Sequence, residues 1–125
     1  MILPETRGVY IVDTAGSVSK RKTKHCVCVS VGMGWYFLIN SASREVFDDF
    51  PIKASDYDFL NGDDRYLGCS KMNMRTCAAG QLIKKVGQLS DADTRTVMKK
   101  VQQSNTLLNT EKHKILSELA RVLSL

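Results

Sequence analysis

The stretch KRKTKHCVCVS, residues 20 to 30, sets a cluster of basic side chains directly before a run of apolar and small residues. Basic side chains hold phosphate groups, and a histidine, whose ordinary pKa is about 6.5, can transfer protons near neutral pH. The basic cluster in this stretch consists of Lys20, Arg21, Lys22, Lys24 and His25. The sequence allows two interpretations of this stretch: a lip that holds a polyanion beside a reactive group, or a solvated hairpin loop.

A second polar stretch, INSASR, residues 39 to 44, offers the hydroxyl groups of Ser41 and Ser43 and the cation Arg44. Chemistry on a bound polyanion would need cations that hold phosphate, a group that moves a proton, and a donor that faces the developing negative charge. The two stretches together would supply all three if the basic loop folds over the end of the second stretch. The alternative is that the serines only make turn hydrogen bonds.

The elements that must position these residues follow from the hydrophobic periodicity, which changes from strand-like to helix-like near residue 88. Strands are predicted at residues 9 to 13, 26 to 31 and 35 to 40. The VGMG joint permits only a tight hairpin, so the second and third strands should be antiparallel, with Lys24 and His25 near Asn40 and Ser41. Weaker strand candidates are residues 50 to 54, 66 to 70 and 81 to 86, with a turn signal NGDD at 61 to 64.

Five or six short strands predict a small antiparallel β-barrel, and two helices should follow it. Ser90 in SDAD is a typical N-cap, and a second helix is predicted from Thr110 because residues 115 to 123 carry one continuous apolar stripe. The predicted fold class is α+β in a single domain of residues 1 to 125, with the barrel at about 7 to 88 and the helices at about 90 to 123.

The cysteines and acids could suggest a metal, but their spacing does not support one. No CxxC pair occurs, and Cys26 and Cys28 would share one strand face as reduced core residues. The acids fit neither an EF-hand nor a two-metal pattern and are interpreted as turn formers and partners of the basic loop. No metal or cofactor is therefore expected. These acids are Asp48, Asp49, Asp56, Asp58, Asp63 and Asp64.

The charge balance favours a polyanionic or acidic partner, since the net charge is +5 at pH 7. Lys84 and Lys85 belong to a second basic group that would extend a polyanion track or simply be solvated. The start MILPETRG has no secretion signal and no apolar run is long enough for a membrane span, so we expect a reducing cytoplasmic location and no membrane partner.

Read in order, GVYIVDT, the basic loop, HCVCVS, WYFLINS and KVGQLSDAD resemble the MazF/PemK toxin family of bacterial toxin–antitoxin systems. The resemblance covers most of residues 7 to 104. It implies an SH3-like barrel with helices, a possible homodimer, and a possible antitoxin partner, either protein or RNA. The implied activity is cleavage of single-stranded RNA without a metal, with the RNA 2′-hydroxyl as the nucleophile.

Carried over to this chain, the family's catalytic arginine falls on Lys24, the proline after it on His25, and its hydroxyl position on Ser41 or Ser43. Lysine stabilises phosphorane charge as a point charge, without the fork of arginine. The resulting hypothesis is a toxin-like endoribonuclease with Lys24, His25, Ser41 and Ser43 as catalytic residues. The alternative is a non-catalytic module that binds nucleic acid or protein. RNA-binding residues are predicted to be Lys20, Arg21, Lys22, Arg44, Lys84 and Lys85.

Overall fold

The structure, a computed structural model, describes residues 2 to 13 and 23 to 124. It contains seven strands, which precede two α-helices. The strands are β1 Gly8–Asp13, β2 Thr23–Ser30, β3 Trp35–Asn40, β4 Phe50–Ile52, β5 Arg65–Leu67, β6 Met74–Thr76 and β7 Leu82–Gln88. The helices are α1 Asp91–Gln103 and α2 Asn109–Val122. The predicted α+β class, with two helices after the strands, is confirmed.

The strands form one antiparallel sheet in the order β4-β5-β3-β2-β1-β7, with β6 also paired to β3. The expected barrel is not closed: among the described residues no pairing joins β4 to β7. Strand β3 has different neighbours along its length, because its start pairs with β6 and its end pairs with β5. Strand β4 is only three residues long, and Pro51 at its centre has no N–H to donate. The sheet therefore ends there as an open edge.

The sheet has two buried faces, because side chains alternate along each strand. Val9, Val27 and Phe37 contribute to the face on which both helices pack, through residues such as Val97 and Ile115. The opposite face forms a second apolar cluster, which includes Tyr10, Cys26, Cys28, Tyr36 and Cys77. The four cysteines are free and buried, which confirms the core positions predicted for Cys26 and Cys28.

The helix boundaries follow local capping. The Ser90 side chain accepts a hydrogen bond from the N–H of Asp93, which confirms the predicted N-cap of α1. Helix α2 begins at Asn109, one residue before the predicted Thr110, and the Glu111 carboxylate accepts from the N–H of Leu108. Buried Ile115 and Leu119 lie on the face of α2 that enters the core.

Two strand predictions need correction. Strand β6 was not predicted, since its three residues, MRT, are too short a run to show the alternation that marks a strand. Strand β2 begins at Thr23 rather than Cys26, because its first residues pair with β1 through Asp13↔Thr23, Val12↔Lys24 and Ile11↔His25. Lys24 and His25 therefore belong to the sheet itself.

Within the described residues, neither helix is long and apolar enough to cross a membrane. The same part of the chain contains no group of three or more His, Cys, Asp or Glu side chains arranged to hold a metal ion.

Candidate functional site: a cleft at the end of the β2–β3 hairpin

The β2–β3 hairpin brings the two chemically interesting stretches to one end of the sheet. Its register pairs Cys26 with Leu38 and Cys28 with Tyr36, so the start of β2 lies beside the end of β3. A cleft of about 400 Å³ opens there. It is lined by Thr23, Lys24, His25, Ile39, Ser41, Phe59, Leu60, Asn61, Asp63 and Arg65. Three predicted catalytic residues, Lys24, His25 and Ser41, are thus brought together.

His25 is the proton-transfer candidate of the cleft. Its imidazole stacks on the Phe59 ring with 5.5 Å between the ring centroids and 25° between the planes. Burial, and in second place the positive charge of Arg65, lower the pKa of His25 below its ordinary value of 6.5. Both causes favour the neutral ring, which has a nitrogen able to accept a proton.

Two cations flank His25 in the cleft. Lys24 directly precedes His25 on β2, so the two side chains leave opposite faces of the sheet. Both residues line the cleft because it opens at the end of this strand. Arg65 comes from β5, where it pairs with Ile52. Across residues 2 to 13 and 23 to 124, neither Lys24 nor Arg65 forms a salt bridge. Both positive charges remain available to an anion.

Arg65, Phe59, Asn61 and Asp63 were not predicted as parts of the site. Phe59, Asn61 and Asp63 lie on the segment between β4 and β5, and Arg65 begins β5. Only the sheet order, which sets β5 beside β3, brings these residues to β2. The NGDD turn was recognised in the sequence, but its partner across the cleft could not be identified from periodicity.

The segment that carries Phe59 is fixed to the start of α1. The buried Tyr57 hydroxyl accepts a hydrogen bond from the N–H of Ser90 at 3.0 Å and also contacts the Asp93 carboxylate. Burial, reinforced by the hydrogen bond with Asp93, raises the pKa of Tyr57 to about 12, so the phenol stays protonated and can donate to that carboxylate. The short helical turn Asp58–Leu60 follows directly and forms one wall of the cleft.

The serines and Arg44 divide between two places. Ser41 directly follows β3 and lines the cleft. Ser43 instead donates a hydrogen bond to the Asp49 carboxylate at 2.8 Å, and that carboxylate also accepts from the N–H of Arg44. The Arg44 guanidinium lies over the Phe47 ring, 5.3 Å from its centroid. The structure therefore does not bring Ser43 and Arg44 to the cleft lining.

The second basic pair divides as well. Lys84 pairs with Ile11, which pairs on its other side with His25, so all three side chains share one face of the sheet. Lys85 pairs with Tyr10 on the other face, and its ammonium forms a salt bridge with Glu5. Of the two lysines, only Lys84 lies on the same face of the sheet as His25, two strands away across Ile11. The predicted RNA-binding residues Lys20, Arg21 and Lys22 lie outside the described residues.

Comparison with known proteins found no matching family model and no matching curated protein. The resemblance to the MazF/PemK family therefore rests on the order of the sequence motifs, and the chemistry of the cleft has to be argued from its own residues.

Proposed function

We propose that this protein is a toxin-like endoribonuclease that cleaves single-stranded RNA in the β2–β3 cleft without a metal. The observation that carries the proposal is the cleft lining, which combines a neutral histidine, two cations without salt bridges in the described residues, and a serine hydroxyl. These are the groups that cleavage through the RNA 2′-hydroxyl requires.

In the proposed reaction, a nitrogen of neutral His25 accepts the proton of the 2′-hydroxyl. The 2′-oxygen then forms a bond to the adjacent phosphorus, and Lys24 and Arg65 balance the negative charge that develops on the phosphorane. The bond from phosphorus to the 5′-oxygen breaks, and that oxygen takes a proton from solvent. The products are a 2′,3′-cyclic phosphate and a 5′-hydroxyl. Ser41 donates a hydrogen bond to a non-bridging oxygen.

The wider features implied by the MazF/PemK resemblance belong to the same proposal. They are an SH3-like arrangement of the strands, a cytoplasmic location, a possible homodimer, and an antitoxin of protein or RNA that neutralises the activity. Expression of the gene alone should then arrest bacterial growth, and a variant without cleavage activity should not.

Single-turnover cleavage of a mixed-sequence RNA in the presence of EDTA tests the chemical step. Lys24→Ala should reduce the rate at least about tenfold, which corresponds to roughly 1.4 kcal/mol of transition-state stabilisation. His25→Ala should remove the acidic limb of the pH–rate profile, because no imidazole then has to be deprotonated before it acts as the base. The products should carry cyclic phosphate ends.

Lys85→Ala is the matched control, since it removes one lysine charge from a residue that does not line the cleft and that already pairs with Glu5. Its rate should match that of the wild type. Equal cleavage by the wild type and the Lys24→Ala, His25→Ala double variant would refute the mechanism. RNA binding without any cleavage by pure wild-type protein would instead support the non-catalytic binding module.

A further inference from the structure

The cleft contains one group that phosphate binding does not explain, the carboxylate of Asp63. A carboxylate repels phosphate, so its position among Lys24, Arg65 and His25 opposes the binding of a bare polyanion. The position of the Asp63 carboxylate would be explained if it formed an ion pair with Lys24 or Arg65. However, the Asp63 side chain has no salt bridge or hydrogen bond in the part of the chain that the structure describes. Its acceptor oxygens are available to a ligand.

Asn61, which also lines the cleft, lies on the same tight turn as Asp63. The turn is set by left-handed backbone at Asn61, φ 54°, and at Gly62, φ 87°, and by a hydrogen bond from the N–H of Asp63 to the carbonyl of Leu60 at 3.2 Å. Asparagine tolerates this conformation better than most residues. The turn thus places an amide, which can donate, two residues from a carboxylate, which can only accept.

We propose that Asn61 and Asp63 bind the Watson–Crick edge of a guanine base next to the phosphate held by Lys24 and Arg65. Guanine alone among the RNA bases presents two adjacent donors, N1–H and the N2 amino group, beside an acceptor, O6. A carboxylate can accept both donors at once, and the Asn61 amide can donate to O6. Unstacked bases of single-stranded RNA are read through such edges.

The other bases fit this pair of side chains less well. Cytosine and adenine each set one amino donor beside a ring-nitrogen acceptor, which would face the second carboxylate oxygen. Uracil sets a single N–H between two carbonyl acceptors. The cleft volume of about 400 Å³ lies within the range of roughly 300 to 1,000 Å³ that is common for small-ligand pockets, so a nucleotide-sized group is a suitable occupant.

The inference rests on the proposed binding of RNA, but its test does not require cleavage. The probes are short uridine oligonucleotides with 2′-fluoro sugars, which cannot be cleaved, and with one central guanosine, inosine, adenosine or cytidine. Fluorescence anisotropy at constant salt gives their dissociation constants. The wild type should bind the guanosine probe most tightly and the inosine probe, which lacks only the N2 amino group, about tenfold more weakly, because one charge-assisted hydrogen bond is lost.

Asp63→Asn should reduce the difference between guanosine and inosine to less than about twofold, because only one acceptor oxygen remains. Asp64→Asn is the matched control: it removes the same charge one position away, and its amide oxygen can still accept from the N–H of Ala54, as the Asp64 carboxylate does. This variant should keep the preference for guanosine.

Equal binding of guanosine and inosine by the wild type would overturn the inference and leave the proposed nuclease intact. A preference that survives in Asp63→Asn would also overturn it. The absence of binding to every probe would refute both the guanine site and the proposed RNA-binding cleft. A guanosine preference in a protein that cleaves no RNA would support the guanine site and refute only the nuclease.

Discussion

Two features of the cleft act against the protonation of His25. The Phe59 ring covers the imidazole, and Arg65 adds a positive charge nearby, with burial the larger of the two causes that lower its pKa. In the folded protein the imidazole therefore binds a proton less readily than in the unfolded chain. Its contribution to stability is present above the unfolded pKa and is lost as the pH falls through the mildly acidic range.

Phe59→Ala should raise the pKa of His25 towards its ordinary value of 6.5, because the ring that buries the imidazole is removed. The measurement is the pH titration of the imidazole proton resonances by NMR. The backbone amide resonances of α2 provide an internal control and should not respond to the substitution. An unchanged His25 titration in Phe59→Ala would show that the stacked ring does not control protonation.

Helix α2 is an element whose role in stability can be separated from the cleft. Leu119 is 1% exposed and belongs to the same apolar cluster as Val27 and Phe37, on the helix-covered face of the sheet. Helix α2 therefore packs against the face of the sheet to which β2 and β3 contribute.

Leu119→Ala should lower the free energy of unfolding by about 2 to 5 kcal/mol, through lost burial and a residual cavity. Leu108→Ala, at the start of the same helix, is the control because that side chain is 64% exposed, and we expect less than about 0.5 kcal/mol there. Urea denaturation followed by circular dichroism measures both. Similar midpoints for the two variants would mean that α2 is not integrated into the core.

At the scale of the whole molecule, the net charge of +5 gives a general attraction for polyanions, but the sheet decides which cations can act together. The cleft is lined by Lys24, Arg65 and His25. Lys84 lies on the same face of the sheet as His25, about two strand spacings away, or roughly 10 Å. Lys85 lies on the opposite face of the sheet from Lys84 and is paired with Glu5.

The affinity for single-stranded RNA should therefore fall with salt, with a slope in log–log form of about −0.7 for each phosphate contacted. Lys84→Ala should make this slope less negative by about 0.7, the contribution of one phosphate. Lys85→Ala should leave it nearly unchanged, although both variants remove one lysine charge. Equal effects of the two substitutions would indicate a diffuse attraction to net charge, without a track along one face.

The sequence by itself determined the features that depend on neighbours along the chain. The Gly32 to Gly34 joint and the alternating apolar residues predicted the β2–β3 hairpin, and with it the approach of Lys24 and His25 to Ser41. Ser90 predicted the start of α1 in the same way, because a cap acts within three residues.

Only the tertiary structure decided what meets across long separations. Arg65, Asn61 and Asp63 reach the cleft because β5 pairs with the end of β3, and the sheet stays open because β4 finds no further partner among the described residues. Alternation along a strand fixes which face a side chain takes, which is why Lys84 and Lys85 separate, but it contains no information about which strand becomes the neighbour. That choice depends on how the two apolar faces of the sheet are buried together.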